Sequence, residues 1–245
     1  MKVYVPMTPS RFSWSYIQHV KPLALEPEQP LKAASMGAKF NALYNHVFVR
    51  FRRRRMRQFL STFSPSRSVR VVDIGGAVHT WNVEAETHEP FSVTLINNLE
   101  YEDYTSERFQ TVEADATALP FPDNSFDIAF SNSVIEHLGT WEKQQAFASE
   151  ARRVARKLWI QTPARCFPIE AHLLAPYIQY LPKDIQRRIV RWTPRGLLNP
   201  EVVQQIVNEV RLLTYPEVAK LFPDCRILKE RFCGLTKSYI AVRLS

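Results

Sequence analysis

Hydrophobic and polar positions along this chain follow two periods in turn. Five short runs, "VRVVDI" (69–74), "FSVTLI" (91–96), "FQTVEA" (109–114), "DIAFSN" (127–132) and "KLWIQT" (157–162), are rich in β-branched and aromatic residues and predict strands. Between the last two, "TWEKQQAFASEARRVAR" repeats its apolar positions every three to four residues and predicts an amphipathic helix. Strands that alternate with helices build a mostly parallel sheet covered on both faces. The expected fold class is therefore α/β, a three-layer sandwich.

Residues 167 to 222 read as mostly helical, in "LLAPYIQYLP", "KDIQRRIVRW" and "NPEVVQQIVNEVRLL", with prolines between them. "CRILKERF" and "TKSYIAVRL" follow as two strands, and the short "CGL" between them predicts an antiparallel pair that closes the sheet. At the other end, residues 1 to 30 hold Pro6, Pro9, Pro22, Pro27 and Pro30 among Phe12, Trp14 and Tyr16. Such a segment cannot propagate a helix yet carries aromatics that favour burial, which predicts an extended arm across the domain. From about Gly37 to Leu60 a helix is expected, with Tyr44, Val47, Phe48, Phe51 and Phe59 on one face and Arg50, Arg53, Arg54 and Arg57 on the next. "SPSRS" ends it.

Composition narrows the function classes. The formal charge is +8, but "RFRRRRMR" (50–57) contributes six arginines, so the rest of the chain is nearly balanced. The stripe is either a solvated helix face or a contact for an anionic surface, lipid head groups or nucleic acid. No apolar run is long enough for a membrane-spanning helix, and "MKVYVPMTPSRFSWSY" lacks the unbroken apolar segment of a secretory signal. Cys166, Cys225 and Cys233 show no C-x-x-C pairing, which argues against a disulfide framework and a thiolate zinc site. The expectation is a cytoplasmic protein that can meet a membrane at its periphery.

In an open parallel sheet, ligands bind at the carboxyl ends of the strands. Those ends carry Asp73-Ile74-Gly75-Gly76, then Asn97-Asn98, then Glu113-Ala114-Asp115-Ala116, then Ser131-Asn132-Ser133 leading into "VIEHL". Glycines admit a ligand close to the backbone. Asn97 stands 24 residues after Asp73, near the spacing at which nucleotide folds place a ribose partner.

The ordered set "VVDIGG", "VTLINN", "EADATALPFPDNSFDIAFSNSVIEHL" and "WIQTP" resembles the class I S-adenosylmethionine-dependent methyltransferases, specifically the type 11 small-molecule group. The resemblance runs from about residue 69 to 163, with "GLTKSYIAVR" similar to that fold's closing strand. It implies a Rossmann-like, mostly parallel seven-stranded sheet with an antiparallel last strand. It also implies a division into residues 1–68 (arm and basic helix) and 69–245, the methyltransferase domain. Within that domain 69–163 would hold the cofactor, 164–222 would be a helical insertion for the acceptor pocket, and 223–245 would be the closing hairpin.

By the same resemblance the cofactor is S-adenosyl-L-methionine. Asp73, Gly75, Gly76 and Ala77 would surround its methionine portion, Asn97 and Asn98 its ribose, and Asp115 and Ala116 its adenine, while Ser131 and Asn132 would line the passage to the acceptor. The chain departs from the family pattern at Ala77 and His79, where glycines usually stand, and at Asn97, where an acid usually does. Without a pyrophosphate to cradle, the loop can lose glycines that a dinucleotide site needs.

The implied reaction moves a methyl group to an O or N atom of a small molecule or lipid-linked metabolite. The alternatives are a non-catalytic binding module on the same fold or an RNA methyltransferase. A base is needed only for a hydroxyl or protonated amine; the candidates are His137, Glu136 and His172, with Glu170 beside the last. Some methyltransferases of this class hold a divalent ion through Glu-x-x-Glu-His, but here Ser133 replaces the first carboxylate. The remaining ligands are too few for most ions, and no metal is expected.

Overall fold

The computed structural model describes residues 49–78, 80–81, 91–97, 106, 108–193 and 200–245. The N-terminal arm, Tyr44, Val47, Phe48, His79 and Asn98 lie outside them. A helix over residues 49–63, α1, leads into β1 (Arg70–Ile74), β2 (Ser92–Asn97), β3 (Phe109–Glu113) and β4 (Phe126–Asn132). Helix α2 (Trp141–Val154) then precedes β5 (Ala155–Pro163). A small ribbon of β6 (Ile169–Glu170) and β7 (Ala175–Pro176) opens the segment that holds α3 (Lys183–Ile189), α4 (Pro200–Glu209) and α5 (Tyr215–Leu221). The hairpin of β8 (Arg226–Phe232) and β9 (Leu235–Arg243) ends the chain.

Seven strands form one sheet in the order β3-β2-β1-β4-β5-β9-β8. The β1–β2, β2–β3, β1–β4 and β4–β5 pairs are parallel, and β9 runs antiparallel to both neighbours. The winding reverses between β1 and β4, which opens a crevice at their carboxyl ends. Side chains alternate across the sheet because the strand period is two. Val71 thus joins the layer of Met56, Phe59, Trp81, Phe130 and Trp159, whereas Val72 and Ile74 face Phe147, Ala151 and Leu221 of α2 and α5. Phe59 makes edge-on ring contacts at 5.1–5.9 Å with Trp81, Phe130 and Trp159, so α1 is pinned to the sheet by an aromatic cluster.

The expected strands, the long helix and the closing hairpin are present within a residue or two of their sequence limits. The segment "LLAPYIQYLP" is not a helix. Leu174 and Tyr177 adopt positive φ (54° and 56°), Pro176 sits in β7, and only the turn Ile178–Tyr180 is helical, in 3-10 form. Helix α5, which the sequence reading did not separate, starts from a reciprocal cap: Glu217 accepts from the backbone and hydroxyl of Thr214, with Pro216 in the first turn. Glu136 and His137 lie on a single 3-10 turn, Ile135–Leu138, not at the start of the helix; α2 begins only after Thr140 caps it.

Candidate active site

The loop after β1 is built by Asp73. Its carboxylate is 1 % exposed and accepts a 2.7 Å hydrogen bond from Trp81 Nε1. Gly76 lies directly over it: a Cβ there would fall 1.8 Å from Asp73 Oδ2. Gly75 turns with φ +81° and donates its N–H to Ile96 O, and a Cβ on it would meet Val134 Cγ2 at 2.5 Å. Both glycines are therefore demanded by the packing beneath the loop. Ala77 needs no such exemption. Its methyl is buried, and Thr80 N donates to Ala77 O to start the helical turn that delivers Trp81.

The second strand end is tied to the first, because Asn97 Nδ2 donates to Gly76 O at 3.4 Å. An amide can make this bond and an unprotonated acid could not, which gives Asn97 a structural reason at its position. At the third, Asp115 is exposed, and its Oδ1 accepts from both the backbone and the hydroxyl of Thr117. Ala116 is half-buried beside it. At the fourth, Ser131 is fully buried and donates to Ile74 O at 2.8 Å, so it joins β4 to β1.

Asn132 accepts from Arg55 Nη1. Arg55 is 5 % exposed and reaches from α1 across the ends of β4 and β5, with Nη1 also 2.5 Å from Gln161 Oε1 and Nε 3.2 Å from Glu230 Oε1. Ser133 donates to the same Gln161 oxygen at 2.9 Å, and Glu230 also holds Lys237 at 3.4 Å. Burial first, and then the charge of Arg55, push the Lys237 ammonium down to about 8. The basic stripe is thus divided. Arg50, Arg54 and Arg57 are exposed and Arg53 is half-buried. Arg55, absent from the expected stripe and from the expected site, points inward. Its phase on α1 was the available signal, since it falls one turn from both Phe51 and Phe59.

Glu136, His137 and His172 meet at one end of the sheet. His137 and His172 contact edge-on with ring centroids 4.6 Å apart, and Nε2 of each lies 4.0 Å from Glu136 Oε1. Glu136 is 0 % exposed and its other oxygen accepts from Thr162 Oγ1 at 3.0 Å. Burial pushes its carboxyl up to about 7 against the opposing pull of His172. Burial, then His172, hold His137 well below the ordinary imidazole value, which keeps its ring neutral at neutral pH. Glu170, held below the usual carboxylate range despite burial by its contacts to His172 and to Leu173 N, lies 2.6 Å from His172 Nδ1. Behind it, Arg165, Gln179, Lys183 and Arg211 line a cleft of about 280 Å³.

Asp73 makes the site pH-sensitive. Burial pushes its carboxyl up to about 7 from an ordinary value near 3.8, with the Trp81 bond opposing. The folded state therefore holds this proton more tightly than the unfolded chain, and stability falls as pH rises from 3.8 to 7. Asp73→Asn keeps an acceptor for Trp81 and removes the charge. Its unfolding free energy should exceed the wild type's at pH 8 by on the order of 2–4 kcal/mol and match it near pH 4. Parallel pH profiles for the two proteins in chemical denaturation would refute this.

Residues 86–158 match the family model described as "Methyltransferase domain", a segment that runs from before β2 into β5. A search of the curated proteins found no match. Among solved structures, the 1,6-didemethyltoxoflavin-N1-methyltransferase of Burkholderia thailandensis, with bound 1,6-didemethyltoxoflavin and S-adenosylhomocysteine, shares 15% identity at a TM-score of 0.52, covering 89% of this chain and 93% of that one. A SAM-dependent methyltransferase from Aquifex aeolicus shares 15% identity at 0.46, covering 76% and 87%. Among the described residues no helix is long and apolar enough to cross a membrane. The ordered motifs and the seven-stranded topology agree with the domain match, and over residues 86–158 the chain is similar to the methyltransferase domain.

Proposed function

We propose that this protein transfers a methyl group from S-adenosylmethionine to an O or N atom of a small molecule or lipid-linked metabolite. One observation carries the reading: the β1 loop, Asn97, Asp115 and the Glu136–His137–His172 group all stand at the carboxyl edge of the sheet around its reversal point, where such folds bind ligands. The glycine pair fits a cofactor that needs backbone approach without a phosphate cradle. Asp115 fits the adenine amine, since it is exposed and its Oδ2 is not engaged among the described residues. The neighbours named above support the cofactor through the S-adenosylhomocysteine bound in one of them.

In this reading Gly75, Gly76 and Ala77 lie along the methionine portion, Asn97 and Asn98 meet the ribose, and Asp115 and Ala116 flank the adenine. The bound sulfonium supplies an electrophilic methyl group. The protein's own work is alignment and exclusion of water, which provide most of the acceleration for such a displacement. Asn132, fixed by Arg55, borders the passage to the acceptor, with buried Ser131 behind it. Glu136, His137 and His172 are the candidate bases, and Glu136, whose buried carboxyl is pushed up to about 7, is the one that titrates near the working pH. His172 is held by Glu170 and orients the pair.

Isothermal titration with S-adenosylmethionine and S-adenosylhomocysteine tests the reading. Micromolar binding is expected, weakened at least about tenfold in Asp115→Ala, whose exposed position leaves the fold intact. No heat up to millimolar ligand would leave a non-catalytic binding module on this fold.

A further inference from the structure

We propose that Glu136, His137 and His172 form a binding site for one first-row divalent transition-metal ion. The inference starts from a spacing. Glu136 Oε1 is buried and, among the described residues, accepts no hydrogen bond, and it stands 4.0 Å from Nε2 of His137 and 4.0 Å from Nε2 of His172. Ligand atoms from the three residues all lie within 4.8 Å of one another. At 4.0 Å these groups are too far apart to hydrogen-bond directly, which requires about 2.7–3.2 Å. They are close enough to share an ion after a small adjustment: with bonds of about 2.0–2.2 Å, two ligands of one tetrahedral metal stand roughly 3.4 Å apart. An inward shift of less than about 1 Å completes the set.

The outer contacts give the same direction. Glu170 Oε1 lies 2.6 Å from His172 Nδ1, and Leu173 N fixes the other oxygen of Glu170 at 2.6 Å. A carboxylate on Nδ1 puts the ring proton there and turns the Nε2 lone pair toward the cluster. Thr162 Oγ1, bonded to Glu136 Oε2 at 3.0 Å, leaves Oε1 as the oxygen that faces the imidazoles. Nε2 of both imidazoles and Oε1 of Glu136 are thus gathered in one buried place.

The donor set selects the ion. Two imidazoles and one carboxylate suit zinc, iron, cobalt or manganese, while calcium and magnesium favour oxygen alone. Three protein ligands are the number found where a metal keeps a position open for water or substrate. On that ground the site needs no fourth protein ligand, contrary to the expectation from sequence, and the Ser133 hydroxyl, turned to Gln161, does not supply one. Val134, two residues before Glu136, packs against Gly75, so the ion lies on the cofactor loop's side of the sheet edge. If the methyltransferase reading above holds, a bound ion takes Glu136, His137 and His172 out of the role of base, and an acceptor hydroxyl on the open position would instead lose its proton to solvent at a lower pH than usual, becoming the nucleophile. Binding of the ion itself does not depend on that reading.

The test uses the full chain after chelator treatment and dialysis. Titration with zinc chloride should show one equivalent bound at about 1 µM or tighter, and cobalt(II) should give visible d–d absorption that zinc quenches. Glu136→Gln and His172→Ala should each weaken zinc at least roughly 100-fold. Thermal unfolding controls for damage: zinc should raise the melting temperature of the wild type and of Asp115→Ala, and leave that of Glu136→Gln unmoved. Absence of binding to the wild type at 100 µM (about a hundred times the expected constant), or affinity retained in both ligand variants, overturns the proposal. The S-adenosylmethionine titration on the same preparations reports separately, so a failed metal site and a failed cofactor site are told apart.

Discussion

Gly76→Ala is expected to disable the cofactor loop and to destabilise the protein by about 3–5 kcal/mol, the sum of an overpacking cost and a lost buried hydrogen bond. The new Cβ would lie 1.8 Å from Asp73 Oδ2 and 2.0 Å from its Cγ. Asp73 cannot retreat. Its backbone is paired on both sides, with β2 and β4, and its carboxylate is tied to Trp81 inside a layer of aromatic rings. Either the carboxylate swings away and strands the indole N–H, or the loop lifts from the strand end. A shift of about 1 Å in such a loop costs on the order of 100-fold in ligand affinity or rate. Thermal unfolding should fall by roughly 6–20 °C. The informative control is Ala77→Gly, which moves toward the family pattern and should cost only about 0.5–1 kcal/mol. Wild-type melting and S-adenosylmethionine affinity in Gly76→Ala would show that the loop is not held by Asp73.

Arg55→Met should cost about 3–5 kcal/mol, whereas Arg57→Ala, two positions away, should change stability by no more than about 0.5 kcal/mol. The difference lies in what remains behind. Without Arg55, buried Glu230 keeps Lys237 and Ser238 Oγ as partners but loses the guanidinium, and Asn132 and Gln161 lose their shared donor. Lysine is a poor replacement, since one ammonium cannot serve three acceptors in a planar fork. Urea denaturation of Arg55→Met, Glu230→Gln and the double variant measures the coupling. The double variant should be more stable than the sum of the single losses implies. Strict additivity would mean that the two side chains do not act together.

These two sites also mark what the sequence could and could not reveal. The strands were legible because β-branched runs such as "VRVVDI" follow the period of the sheet, and the hairpin because two such runs stand three residues apart. Composition could not reveal that Leu174 and Tyr177 take left-handed backbone conformations that break an otherwise helical reading. Gly75 and Gly76 were expected to make room for a ligand; the structure adds that Val134 and Asp73 fill the space beneath them. Counting arginines concealed Arg55, because a charge run suggests a wet surface while the helical phase of one member places it inside. Glu136 and His137 were visible as a pair, but His172 comes 35 residues later, and only the folded chain brings its ring against theirs.

The bond between Arg55 and Glu230 has a consequence for how the protein is made. The two residues are 175 positions apart. At about 5–20 residues per second, α1 leaves the ribosome roughly 10–35 s before the hairpin that supplies its acid. For that interval the guanidinium has no carboxylate from β8 to meet, and the carboxyl edge of the sheet lacks its final brace. Vectorial synthesis thus makes the edge that carries the candidate site among the last parts of the molecule to become rigid.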